Sequence, residues 1–288
     1  MIGLIVVSTV TLAAIYALIG IGFVVMFRAT GVLSFAQGSF FLIGTLMFYT
    51  LTNSGLGLYT GLIVAALIVG VLGALSYLAI FQFASFDLLF VSLATVGLGG
   101  ALEAVSNLLW APDLFRTRHL VSSHAHRLGG GFTITDAQII SIGIAIVLIV
   151  GVSLFIYRTP IGLRMRAVAA DSVLAAYGGV RVRRISALSW GIAAGVAAAA
   201  GIGYTLGSVI DPSALPAVGL VVFPAIIIGG LDSLGGVAAG SIILALVQTL
   251  ASVYVGAQWS DMVSYSLLLV LLWVRPTGLF GSHQMARV

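Results

Sequence analysis

Long apolar stretches follow one another along this chain with so few charges between them that most of it has no aqueous surface to fold against. About 20 apolar residues, at 1.5 Å rise per residue, cross the hydrocarbon of a bilayer as an α-helix, the form that satisfies every backbone N–H and C=O inside its own segment. Such stretches run near 4–27, 31–50, 58–82, 87–110, 137–157, 186–209, 214–230, 235–256 and 260–274. Those at 214–230 and 260–274 are short, which predicts tilt, a break or bounds wider than these, and gives about nine spans within a range of eight to ten. Composition agrees, because 61% of the 288 residues are hydrophobic and 7% charged, too little polar surface to coat a water-soluble body. The expected fold is all-α, a single polytopic membrane domain over 1–288. The opening run has no basic residue before it and its first charge, Arg28, follows it, so it reads as a retained first span.

The basic residues are twelve in number and all arginine. They are not interleaved with aromatics as in a nucleic-acid groove, so no nucleic-acid partner is expected, and their placement speaks to topology. With the amino terminus outside, the inside segments carry Arg28, Arg158, Arg164, Arg166, Arg181, Arg183, Arg184, Arg275 and Arg287, the outside segments only Arg116, Arg118 and Arg127. This puts 158–185 in the cytoplasm and makes 111–136 an external loop, read as irregular and partly re-entrant from its WAP turn, its histidines and its GGG run. His119, His124 and His126, with Asp113, match no metal template and read as solvated loop side chains. The absence of cysteine excludes disulfides and thiol chemistry. No phosphate loop, serine elbow or HExxH occurs, so the chain is not expected to be an enzyme or to hold a cofactor or metal.

Within the arginine-rich segment, Asp171 is placed to cap a short helix from Ser172 to Tyr177, and Gly178 or Gly179 to end it in the left-handed conformation. Leu174, Ala175, Ala176 and their neighbours are more apolar than a solvated connector needs. Two roles fit: a surface that docks into a soluble partner, or an amphipathic helix lying on membrane lipid with its arginines on anionic headgroups.

Glu103 is the clearest ionisable residue inside a span. A carboxylate in hydrocarbon costs about 2.5–3.5 kcal/mol, so it should face protein or water, either beside a translocation pathway with Asn107 or in a structural hydrogen bond. Gly191 with Gly195, and Gly236 with Gly240, have the spacing that lets another helix approach closely. Gly229, Gly230, Asp232, Ser233, Gly235 and Gly236 interrupt the helical pattern, as a pore-lining turn or as an ordinary cytoplasmic one.

Four segments in order, GVLSFAQGSFFLIGTL, GLRMRAVAADSVLAAYGGV, FPAIIIGGLDSLGGVAAGSIILALV and LLLVLLWVRPTGLFG, resemble the permease subunits of branched-chain amino-acid ABC transporters, and the LivH branch more than the longer LivM branch. The resemblance implies a type II importer permease in a bacterial or archaeal cytoplasmic membrane. Its partners would be a second related permease, two ATP-binding subunits that hold the ATP and Mg²⁺, and an extracytoplasmic solute-binding protein. Asp171, Ser172, Leu174, Ala175, Ala176, Gly178 and Gly179 would then form the coupling helix. Gln37, Gly38, Glu103, Asn107, Gly229, Gly230, Asp232 and Ser233 are the candidate pathway residues. Branched-chain or related amino acids are the expected solutes; the alternative is an ATP-independent transporter or channel for urea or amides. The chain departs from the family pattern in three places. Ser34 to Gly38 stand where Asn-Phe-Ala-His-Gly is common, QFASFD replaces a basic turn, and Asp232 replaces a glycine.

Overall fold

In the computed structural model the described residues are 2–81, 88–110, 114–116, 121, 124–127, 132–206, 208–231, 233–275 and 278–280. The helices are α1 (Ile2–Thr30), α2 (Gln37–Asn53), α3 (Leu58–Phe81), α4 (Leu88–Trp110), α5 (Asp136–Arg158), α6 (Pro160–Ala170), α7 (Ser172–Tyr177), α8 (Val182–Thr205), α9 (Leu215–Leu220), α10 (Val222–Gly229), α11 (Leu234–Tyr254) and α12 (Ser260–Val274). Among the described residues seven helices are long and apolar enough to cross a membrane, namely α1, α3, α4, α5, α8, α11, and α12 taken with the turn before it. The chain is a multi-pass membrane protein.

Hydrogen bonds sort the helix ends onto two faces. On one face the Trp110 indole donates to Thr50 Oγ1 at 2.7 Å and the Ser141 hydroxyl to the Gly203 carbonyl at 2.6 Å. The same face carries the pairing of β1 (Phe115–Arg116) with β4 (Val209–Ile210) and the hairpin of β2 (Ala125–Arg127) with β3 (Thr133–Thr135). The 111–136 loop is thus partly ordered by short strands rather than irregular. On the other face the Ser186 hydroxyl donates to the Ala29 carbonyl, which sets the start of α8 level with the end of α1. Arg28, Arg158, Arg164, Arg166, Arg181, Arg183, Arg184 and Arg275 lie at this arginine face, whereas Arg118 and Arg287 are outside the described residues.

The core is built on α1 and α8, which are mostly covered by other helices, while α12 is almost wholly uncovered. Small side chains make α8 thin enough for this. A Cβ on Gly191 would stand 2.9 Å from the Gly70 carbonyl and one on Gly195 2.9 Å from that of Ala66, so α3 packs directly on the α8 backbone. The matching glycines of α11, Gly236 and Gly240, lie against Gly229 and Ala225 of α10.

Three expected spans have different bounds. The stretch drawn from 31 becomes helical only at Gln37, because Phe35 N–H is taken by Thr95 Oγ1 of α4 at 2.9 Å instead of an intrahelical carbonyl. The stretch at 214–230 is broken between α9 and α10, where Pro224 lacks the N–H that would bond Leu220 and its ring crowds that carbonyl. The stretch drawn from 186 starts four residues earlier, at Val182.

Candidate functional site

The arginine face carries a helical pair whose local chemistry is complete. Thr159 caps α6 by accepting from Gly162 N–H at 3.0 Å, and Pro160 fills the first position, where no N–H is needed. Asp171 then turns extended, and its Oδ1 accepts from Val173 and Leu174 N–H, both at 2.9 Å, which starts α7. Gly179 ends it with φ +81°, while Gly178, Gly179 and Val180 N–H close the last carbonyls.

One side of α7 is rooted. Ala175 is buried with Val168 and Met165 of α6, Ile156 of α5, Ile185 of α8 and Val25 of α1. The remaining surface is open: Val173, Leu174 and Tyr177 are 61%, 67% and 86% exposed, and Ser172 and Ala176 are exposed as well. A cavity of about 710 Å³ adjoins the start of α7, between Arg28, Gly31, Asp171, Ser172 and Leu231. A capped helix with an apolar exposed surface, seated on a bundle of spans, is a shape that another protein can grip.

The second candidate region lies at membrane depth. Gln37, 1% exposed, donates through Nε2 to the Ala193 carbonyl at 3.0 Å, and its Oε1 has no partner. Gly22 packs on the same Ala193, so α2 begins level with Gly22, roughly 12 Å from the end of α1 at 1.5 Å per residue. Gly38 is fixed by packing, since a Cβ there would collide with the Pro216 carbonyl of α9. Ser39, in the first turn of α2, donates to Glu103 Oε1 at 3.0 Å and lies 3.2 Å from the Gly99 carbonyl. A half-buried carboxylate beside an intramembrane helix start is electrostatically favoured, because the first-turn amides carry partial positive charge. Asn107, one turn on, is exposed.

The glycine turn is a packed hairpin. Gly230 takes φ +100°, Ser233 caps α11 by accepting from Gly236 N–H at 2.9 Å, and Gly229 and Gly236 touch backbone to backbone. The amides of Leu279 and Phe280 close the carbonyls of Ile228 and Gly229, a role that the sequence reading missed and that the Pro-Thr-Gly after α12 could have signalled. Asp232 is outside the described residues, as are His119, Asp113 and the QFASFD turn. His126 pairs with Asp136 at 2.7 Å and thereby holds the β2–β3 hairpin to α5.

Also unforeseen is a polar chain across three spans. The Tyr16 hydroxyl of α1 donates to Gln248 Oε1 of α11 at 2.5 Å, and Gln248 Nε2 donates to Asp261 of α12 at 2.8 Å. This bond ties the start of the least covered helix to the core.

A family model described as the permease component of a branched-chain amino acid transport system matches residues 5–272. The high-affinity branched-chain amino acid transport system permease protein LivH of Escherichia coli K12 is 29% identical over 97% of this chain and 95% of its own length. The corresponding BraD protein of Pseudomonas aeruginosa is 26% identical over 98% and 96%. Among solved structures, a chain of PsaBC from Streptococcus pneumoniae in complex with Fab superposes with a TM-score of 0.52 at 14% identity, covering 94% of this chain and 91% of that one; this likeness concerns the fold alone.

Proposed function

The chain belongs to the branched-chain amino acid transport permease family, and on that premise we propose that it is the membrane-embedded subunit of an ATP-driven importer, carrying branched-chain or closely related amino acids inward. The observation that carries the coupling part of this reading is α7, capped at both ends and anchored by Ala175 while Val173, Leu174 and Tyr177 stay uncovered. In this reading an ATP-binding subunit grips α7, hydrolyses ATP with Mg²⁺ in its own site and moves α6 and α7 as one piece. The buried contacts of Met165, Val168 and Ala175 with α1, α5 and α8 pass that movement to the spans. The chain itself performs no hydrolysis.

A second, related permease supplies the other wall of the route. The poorly covered helix α4 carries an exposed polar side chain, Asn107, and such a group faces protein or water rather than lipid. Glu103, Gln37 and Ser39 then lie beside the route at the depth where α2 begins. Glu103→Gln should slow uptake by roughly tenfold or more, the scale of one hydrogen bond to a charged group, without lowering the amount of folded protein. Unchanged uptake would remove Glu103 from the path. The ATP-independent reading is not favoured, because the relatives are named as permease proteins of high-affinity branched-chain amino acid transport systems.

Orientation follows from the arginine face, which the positive-inside rule assigns to the cytoplasm, leaving the β-paired face for a solute-binding protein. The chain has no cysteine, so single cysteines report cleanly. A cysteine at Ser172 should react with a membrane-impermeant maleimide only after the membrane is opened, and one at His124 in intact cells. The reverse pattern would put α7 out of reach of any cytoplasmic ATPase.

A further inference from the structure

We propose that the cavity walled by Arg164, Arg181 and Arg184 binds the phosphate of an anionic phospholipid headgroup and thereby fixes the joint between α7 and α8 to the lipid surface. The cavity measures about 370 Å³, and the turn Gly178 to Val180 and Ile185 complete its lining. All three arginines are exposed. Among the described residues no arginine is within salt-bridge distance of a carboxylate. Asp171, the acidic residue of this segment, already accepts from the Val173 and Leu174 amides. Three guanidinium groups around one concavity repel one another until an anion sits among them, and their planar donor forks match phosphate oxygens.

Depth selects lipid as the source of that phosphate. Arg181 and Arg184 flank the start of the α8 span, and the bond from Ser186 to the Ala29 carbonyl sets this turn level with the last turn of α1. Arg28 and Arg158 end their own spans at the same face, so the cavity opens in the layer where headgroup phosphates lie. α5, which leads directly into α6, is mostly uncovered and its exposed side chains Ile146, Val147, Val150 and Leu154 are apolar, as a lipid-facing flank requires. The exposed side chains of α7 that face a protein partner are apolar and are not part of the cavity. The bound headgroup would hold the Gly178–Gly179 turn that joins the α6–α7 piece to α8, making the stiffness of that joint depend on lipid charge.

Native mass spectrometry of the purified permease complex, titrated with phosphatidylglycerol or phosphatidylcholine, tests this. Retention of phosphatidylglycerol should exceed that of phosphatidylcholine. The triple variant R164Q/R181Q/R184Q should bind phosphatidylglycerol roughly a hundredfold more weakly, since each arginine near an anionic surface contributes about a fivefold factor. The control R158Q/R183Q, altered outside the cavity, should retain it. If the triple variant does not assemble, R164Q alone should show the fivefold loss. Equal retention in parent and variant overturns the proposal, as does occupancy by inorganic phosphate that phosphatidylglycerol does not displace. A triple variant that sheds its ATP-binding subunits while keeping its lipid also overturns it, by showing that the cavity takes an acidic protein surface instead.

Discussion

Gly240→Val, and likewise Gly229→Val, should leave almost no folded permease in the membrane, whereas Gly235→Val should be tolerated. A Cβ at Gly240 would collide with the Ala225 carbonyl and one at Gly229 with the Gly236 carbonyl, while nothing lies within 4 Å of a Cβ at Gly235. Overpacking a core costs about 1–3 kcal/mol where side chains can yield; here the obstacle is backbone, and α10 and α11 would have to separate. The check is the yield of monodisperse protein in fluorescence-detected size exclusion. Similar yields for all three would mean that the α10–α11 contact is not what holds this hairpin together.

The second large effect is expected at α7. Asp171→Ala removes a doubly bonded cap worth about 0.5–2 kcal/mol to a six-residue helix that has few hydrogen bonds of its own. Leu174→Arg places a charge in the centre of the exposed apolar surface, where truncating or mismatching a central anchor costs about 2 kcal/mol or more. The combined variant should lose its ATP-binding subunits on purification, by on the order of a hundredfold in affinity, while inserting normally, because neither residue lies in a span. Ala175→Arg would not test the same point, since Ala175 is buried against Met165 and Val168 and its loss would unseat the helix itself. Full retention of the ATP-binding subunits by the combined variant would take α7 out of the interface.

Much of this fold could be read from the chain because bilayer physics leaves so few solutions: 20-residue apolar runs become helices, and the bounds of α3, α5 and α12 fall within a residue or two of the hydropathy pattern. The cap at Asp171 and the left-handed glycine after α7 were legible for the same local reason, a residue type whose backbone or side chain fits one geometry. The start of α2 was not. Residues 31–36 are largely apolar, and one bond that keeps them out of the helix, from Phe35 N–H to Thr95, comes from 60 residues away. The partner of Glu103 was equally hidden, because Ser39 reaches it from another helix, 64 residues away. The shortness of the 214–230 stretch signalled its interruption, yet where the two halves would pack depended on Gly38 and Gly219 meeting across helices. Local rules are visible in a sequence; pairings between distant spans are not.

The most direct test is ATP-dependent uptake by the reconstituted complex. The chain, its partner permease, the ATP-binding subunits and the solute-binding protein would be placed in proteoliposomes and supplied with radiolabelled leucine, isoleucine or valine. Accumulation should require ATP and Mg²⁺ on the side that carries α7 and solute-loaded binding protein on the opposite side, and the Asp171→Ala, Leu174→Arg variant should abolish it. Uptake that proceeds without ATP, or that the α7 variant leaves intact, would contradict the account and identify a passive or ion-coupled pathway.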